Sequence, residues 1–435
     1  MKNKNNYFGY LIILGFCLSV LLIFIPGCGR KVAPLSIKVM WWGDIYNQAF
    51  AQKLVEAYNK SGPSIKVSLY APPGDYWSKL LTMLAGDTAP DVILLNPPQV
   101  NELANKGSLL PLDNFKKDPA FIAFQNDTWK SLRGQFSCNG HLYAMPIWTS
   151  SIGIFYNKQL FDEAGVPYPS KNWDFEELLE KAKSLTTDTN GDGRIDRFGF
   201  GGFPLNLSEW NLYMLIEAFG GKMYSRDYKK CLIDSPESIA AVKWAIELST
   251  KYRVAPNFTE ISAGNPVVSA GGPDLFQGGK VAMVFWGRWY LDALSKNKNL
   301  KWGVAPYPHG KRKIMFQVPI YLGIYSKTKY PQECWEFVKF VTGKEGQRKL
   351  ALERTDIPVL RSAASSSEFL KYAGREDVNR LFLEMLDYAE LPTYIPGEDQ
   401  WKKFAQDKIT LVVLGKMDLQ KACREIAQDY QKLVQ

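Results

Sequence analysis

The sequence predicts an α/β protein with mainly parallel sheets, divided into two lobes. Three observations lead there. From residue 35 to about residue 112, short apolar strands alternate with amphipathic helices. That alternation puts helices on both faces of a parallel sheet. The chain has 435 residues, which is long for one hydrophobic core, so two units are expected. Finally, a polar turn at 148–151 separates apolar strands at 142–146 and 152–156, which makes that turn the first candidate hinge.

The elements follow in order. LSIKVMWWGD is a buried strand ending in two Trp and an Asp. YNQAFAQKLVEAYNKSG has helical spacing, with Phe50, Leu54, Val55 and Tyr58 on one face and a Gly stop. SIKVSLYAP is a second strand and DYWSKLLTMLAGDT a helix. PDVILLN is a third strand, introduced by Pro90 and closed by Asn96, and QVNELANKGSLLPL is a helix and turn. Residues 205–300 are mostly helical, with Gly-rich breaks at FGGK and SAGGPDLFQGGK. KVAMVFWGRWYLDAL is a strand running into a helix, and CWEFVKFVTGKEGQRKLA and residues 400–434 are helical. In open α/β sheets ligands sit beyond the carboxyl ends of strands. Trp41, Trp42, Asp44, Asp75, Tyr76 and Asn96 fall at such ends.

Composition narrows the function. Apolar residues make up 46% and charged residues 22%, ordinary for a globular chain. The formal net charge is +9, and removing Lys2 and Lys4 leaves +7. The basic residues are dispersed, with Lys311-Arg312-Lys313 the longest cluster, so no nucleic-acid groove is expected. The 13 Trp, 22 Tyr and 24 Phe are the more telling excess, because aromatic faces stack on sugar rings and on nucleobases. Cys138, Cys231, Cys334 and Cys423 form no C-x-x-C pair, which argues against a zinc ribbon or a thioredoxin-like site. Disulfides and single buried thiols both remain open. There is no G-x-S-x-G elbow, no H-E-x-x-H and no P-loop.

The N-terminus sets the compartment. Lys2 and Lys4 precede an apolar run of about 16 residues, too short for a span and right for a secretory signal. The run closes on Pro26, Gly27 and Cys28. This resembles the lipobox of bacterial lipoproteins, in which the Cys is acylated and becomes the new N-terminus. The resemblance implies a signal peptide over 1–27, lipid on Cys28, a linker over 28–34, and a chain held on the outer face of the cell membrane. The alternative is an uncleaved signal anchor.

Four further stretches carry a resemblance to one family. They are APDVILLNPPQVNELANKGSLLPLD, HLYAMPIWTSSIGIFYNKQLFDEAGVPYP with NWDFEELLEKAKSLT, GKVAMVFWGRWYLDAL, and CWEFVKFVTGKEGQ. Their types and order resemble the extracellular solute-binding proteins of ABC sugar importers, the maltose-binding-protein group. YNK-x-LF-x-x-AG, residues 156–165, is the most specific of them. The resemblance implies a periplasmic-binding-protein-like fold: two lobes joined by a hinge of crossing strands, here 35–148 with 308–350 and 149–307 with 351–435. It implies a monomer that closes on a carbohydrate and delivers it to ABC permease subunits, with no covalent chemistry and no required cofactor. The family also includes binders of glycerol phosphates and polyuronates, so an anionic ligand is possible, with Arg288 as its partner.

A sugar presents C–H faces and pairs of hydroxyls, so its site needs flat aromatic rings rimmed by charged or amide groups. The resemblance places a stacking residue at Trp289, with Trp286 and Arg288 at the same junction. Trp148 lies at the crossover, and Trp42 with Asp44 follows the first strand. Asp75 and Tyr76 lie in a loop that lines the first lobe. Asn96 is a contact or a strand-end cap, and Trp401 falls in a region that supplies an aromatic. One of Trp41 and Trp42 must face the core, since neighbouring strand residues point oppositely. Trp210 is expected in the core or at the rim. Separately, DTNGDGRID matches the first half of a calcium loop through Asp188, Asn190, Asp192 and Asp196. Its twelfth position is Gly199, so the bidentate acid is missing, and structural calcium and a plain Asp/Gly turn are both open. The rival functions are an anchored polysaccharide-processing enzyme, which would need paired carboxylates, and a binding lipoprotein that informs a sensor kinase.

Overall fold

The computed structural model describes residues 36–434, apart from 44, 134–136, 139, 202–210, 257–270, 354–355, 393–394 and 396–397. Cys28, Asp44 and Trp210 therefore lie outside the described residues. The strands of the two larger sheets are β1 (Ser36–Met40), β2 (Lys66–Tyr70), β3 (Val92–Leu95), β4 (Ala144–Thr149), β5 (Ile152–Asn157), β6 (Met283–Gly287), β7 (Trp302–Ala305), β8 (Ile320–Ile324) and β9 (Ile357–Pro358).

The first lobe is built on a six-stranded sheet in the order β9-β4-β8-β3-β1-β2. β1 pairs in parallel with β2 and β3. These strands are linked by the helices Ile45–Lys60 and Tyr76–Ala85, the crossovers that the alternating pattern predicts. β3 is buried along its whole length, as a strand covered on both faces must be. The ladders β8–β3, β8–β4 and β9–β4 are antiparallel. The second lobe holds a three-stranded sheet, β6-β5-β7, antiparallel throughout. Within these two sheets parallel pairing is limited to the β1–β3 crossover unit and the antiparallel ladders are the majority, which corrects the expectation of mainly parallel sheets. β8 comes back from the second lobe, and β9 follows it after two helices, Pro331–Thr342 and Lys344–Glu353, that stay on the first lobe; both run against β1–β3.

The motif at 156–165 reduces to capping chemistry. β5 ends at Asn157, whose side chain accepts the N–H groups of Gln159 (3.0 Å) and Leu160 (3.3 Å) and opens the helix Lys158–Ala164. Gly165 closes that helix in the left-handed conformation, φ 64°. Tyr156 packs so close to Gly303 that a Cβ there would meet its ring at 2.3 Å. Phe155 carries the core upward through rings at 5.4 Å (Tyr290), 6.0 Å (Trp302) and 6.1 Å (Phe382).

The lobes are joined where Ser150 and Val318 exchange backbone hydrogen bonds of 3.0 and 2.9 Å. The turn is therefore shorter than expected: Trp148 lies within β4, opposite Ile320 and Pro358. Gln347, fully buried on the helix Lys344–Glu353, donates to Ile147 O (2.8 Å) and accepts from Val359 N–H (2.8 Å), tying β4 to the strand after it. The lobe boundaries also move from those expected at 308 and 351. His309 N–H bonds Trp173 O, and Met315–Phe316 pairs with Ala389–Glu390, which puts 309–316 in the second lobe. β9 sits in the first. Cys231, Cys334 and Cys423 are free, buried thiols, each pushed up to about 12 mainly by desolvation.

Candidate functional site

Between the lobes runs a cleft of about 490 Å³. Its floor is the crossing pair, Ser150 with Val318 and Ile320, and its aromatic walls are Trp42, Trp148 and Trp289. Asn47, Asp292, Lys296, Glu353 and Asp356 supply the polar groups.

Each wall is positioned by a different device. Trp41 points into the first lobe's core at 1% exposure, and Trp42, next along the chain, is half-buried at the cleft. Trp148 is wedged against Trp41, ring centres 5.4 Å apart. Tyr76 meets the Trp42 ring edge-on at 5.1 Å, and its hydroxyl donates to Leu94 O (2.8 Å). Burial raises the Tyr76 pKa strongly, so the phenol stays neutral. Tyr76 is thus the buttress that fixes Trp42 and is not among the cleft-lining residues. Trp289 follows β6 in the short turn Arg288–Tyr290. Its indole lies directly over Gly287, where a Cβ would sit 2.1 Å from the ring. Gly287→Ala is expected to force the indole off its seat at a cost of about 1–3 kcal/mol, read by urea unfolding. An unchanged midpoint would mean the ring is free to tilt.

The other expected contacts sit elsewhere. Asp75 caps the helix Tyr76–Ala85, accepting Ser78 N–H at 2.5 Å; its hydrogen bonds with Ser78 hold the exposed carboxyl below the usual range. Asn96 starts the helix Pro97–Asn105, its N–H donating to Gln99 Oε1 at 2.9 Å. Trp286 is half-buried on β6 opposite Gly153, with its ring 6.5 Å from Tyr290. Trp401 is 3% exposed; its Nε1–H donates to Ile426 O (3.0 Å), and it packs on Tyr430 at 5.2 Å. Among this group Arg288 departs furthest from expectation. It is fully buried beneath the cleft, with Nη2–H donating to Asn379 Oδ1 (2.7 Å) and the guanidinium 4.2 Å from the centre of the Phe369 ring. Burial pushes it down to about 9, with Asp356 acting the other way.

The acidic loop closes on itself. Asp188 accepts N–H from Asn190 (3.2 Å), Gly191 (2.7 Å) and Gly193 (2.7 Å); Asp192 accepts from Arg194 (2.8 Å) and Asp196 from Thr189 (2.8 Å). These are Asx turns. Among the described residues no group of three or more His, Cys, Asp or Glu is gathered to hold a metal.

The sequence pattern missed several lining residues. Asp292 and Lys296 could have been found, since they follow Trp289 at helical spacing. Glu353 and Asp356 had no local signal; the third crossing brings them in. The Ser150 hydroxyl is buried at the floor with no protein partner among the described residues. Flat indoles, carboxylates and an unmatched hydroxyl together suit a ring that carries hydroxyls. Both histidines are elsewhere: His141 Nδ1 lies 3.0 Å from Asp113, and His309 pairs beside Asp174.

The fold agrees with comparison to known proteins. The model of the family described as bacterial extracellular solute-binding protein matches residues 42–348, and the chain belongs to that family. It is 24% identical over 351 residues to a maltotriose-binding protein of Pyrococcus abyssi, covering 77% of this chain and 69% of that one. It is 26% identical over 337 residues to a maltooligosaccharide ABC transporter solute-binding lipoprotein of Streptococcus pneumoniae, covering 74% and 72%. In structure it resembles an ABC substrate-binding protein of Listeria monocytogenes solved with cycloalternan: TM-score 0.80, 24% identity, 92% of this chain and 99% of that one.

Proposed function

We propose that this protein is the lipid-anchored binding subunit of an ABC importer, that it holds a carbohydrate between its lobes, and that it hands the ligand unaltered to a membrane permease. The observation that carries the proposal is the cleft itself: three indole walls with carboxylates between them, set on the crossing strands about which two lobes can close. Relatives that bind maltotriose and maltooligosaccharides support a sugar, and one of them is a lipoprotein. Trp42, Trp148 and Trp289 are the stacking faces in this proposal. Tyr76 and Asp75 support the first wall, Trp286 lies on β6 just before the turn that carries Trp289, and Arg288, Asn96 and Trp401 act through structure. Among the described residues no helix is long and apolar enough to cross a membrane; attachment is assigned to Cys28.

The test is a thermal-shift screen against mono-, di- and oligosaccharides, uronates and glycerol phosphates, with recovery of the ligand. A sugar at 100 times its dissociation constant adds about 2.7 kcal/mol, a plain shift. Recovery of the sugar intact supports a binding protein; recovery of cleaved sugar makes it an enzyme. For the anchor, labelled palmitate is expected in wild-type protein and absent from Cys28→Ala. Equal labelling of both would remove the lipoprotein assignment.

A further inference from the structure

We propose that Asp292 is the group that reads ligand hydroxyls in this cleft, that Tyr372 is its positioning residue, and that the pair selects a neutral polyhydroxylated ligand over an anionic one. This rests on the carbohydrate assignment above.

Among the described residues three carboxylates line the cleft, and two are committed. Glu353 is paired with Lys53 at 2.6 Å. Asp356 is 6% exposed and lies in the field of the buried Arg288. Asp292 differs. Its Oδ1 accepts the Tyr372 hydroxyl at 2.8 Å, while Oδ2 has no hydrogen-bond partner among the described residues. It sits one helical turn after Trp289, on the helix Leu291–Lys296, so carboxylate and indole share a wall.

One oxygen tied and one open is a pre-set acceptor. The bond to Tyr372 holds the carboxylate in place, so little freedom is lost when a ligand arrives. Tyr372 is itself fixed from behind. Asn379 Nδ2–H groups bond the carbonyls of Phe369 (3.3 Å), Leu370 (2.9 Å) and Tyr372 (3.0 Å). The next two residues, Ala373 and Gly374, form a left-handed turn with φ 56° and 67°. The same Asn379 accepts from Arg288, so the buried arginine supports this wall from below. A carboxylate accepts hydrogen bonds from hydroxyls, and these are strong, charge-assisted bonds. It repels an anionic group placed at the same spot. Among the described lining residues Lys296 is the only cation against these three acids, which adds to the bias.

The test uses the full chain, its Asp292→Asn, Tyr372→Phe and double variants, and titration calorimetry with maltotriose, mannotriose, galactotriose and trigalacturonate. Wild type is expected to bind at least one neutral trisaccharide and to prefer it to trigalacturonate. Asp292→Asn should lose roughly tenfold on the neutral sugar and gain relative affinity for the uronate, with an unchanged melting temperature. Tyr372→Phe should lose less, and the double variant should be no weaker than Asp292→Asn, because the tyrosine acts through the aspartate. A merely loosened wall would weaken every ligand alike. Equal loss on both ligand classes, undiminished neutral binding by Asp292→Asn, or losses that multiply in the double variant would each overturn the inference. A wild type that prefers trigalacturonate overturns it and leaves the carbohydrate assignment standing; one that binds none of the four overturns it too, and the wider thermal-shift screen then decides the carbohydrate assignment.

Discussion

Trp289→Ala is expected to weaken ligand binding more than roughly tenfold, a loss above about 1.4 kcal/mol, while the empty protein melts within a few degrees of wild type. The indole is half-buried, faces the cleft, and rests on the bare backbone of Gly287. In the empty protein, removing it uncovers Gly287 and takes away a partly buried ring at the margin of the core. In the complex it removes the flat face on the second-lobe side of the ligand, opposite Trp42. Calorimetry with the best sugar from the screen and a melting curve of each protein separate the two effects. If affinity and melting temperature fall together, the ring belongs to the core and the stacking assignment is wrong.

Arg288→Ala is expected to have the largest effect on stability, a loss of about 3–5 kcal/mol. Arg288 is fully buried, and its Nε and Nη1 groups have no hydrogen-bond partner among the described residues. It is held by Asn379, by the ring of Phe369 and by the charge of Asp356. Truncation opens a cavity against Phe369 and removes the charge that offsets Asp356. Arg288→Met keeps the volume and deletes the unmatched N–H groups, so it should recover most of the loss. Urea unfolding of both variants is the measurement. Equal losses would show that charge, not packing, holds this corner. An alanine variant as stable as wild type would contradict the burial itself.

The two substitutions concern adjacent residues with opposite roles, and the sequence could not assign those roles. GRWY reads as one aromatic, cationic junction. The chain turns sharply between Gly287 and Leu291, so side-chain direction there follows neither the strand period nor the helix period. Arg288 was the expected partner for an anion and instead lies under the floor. Tyr76 and Asp75 were expected in the wall and instead serve as buttress and cap. Trp401 was expected at the cleft and is packed between the two C-terminal helices, Glu398–Val413 and Leu419–Val434.

Local chemistry was legible. The sequence by itself determined the β1–β3 crossover unit, because apolar period, cap residues and Gly stops act within a few neighbours. It determined the strand–cap–helix–glycine unit at 156–165 for the same reason, and with it the family. Only the tertiary structure decided which rings face the ligand and which acids join them. Glu353 and Asp356 enter the cleft through a crossing more than 200 residues along the chain from Trp148. The antiparallel return of β8 and β9 was equally hidden. Such choices depend on where strands re-enter a sheet and which way a turn aims its side chains. Those are properties of the packed lobes, and no short window of sequence contains them.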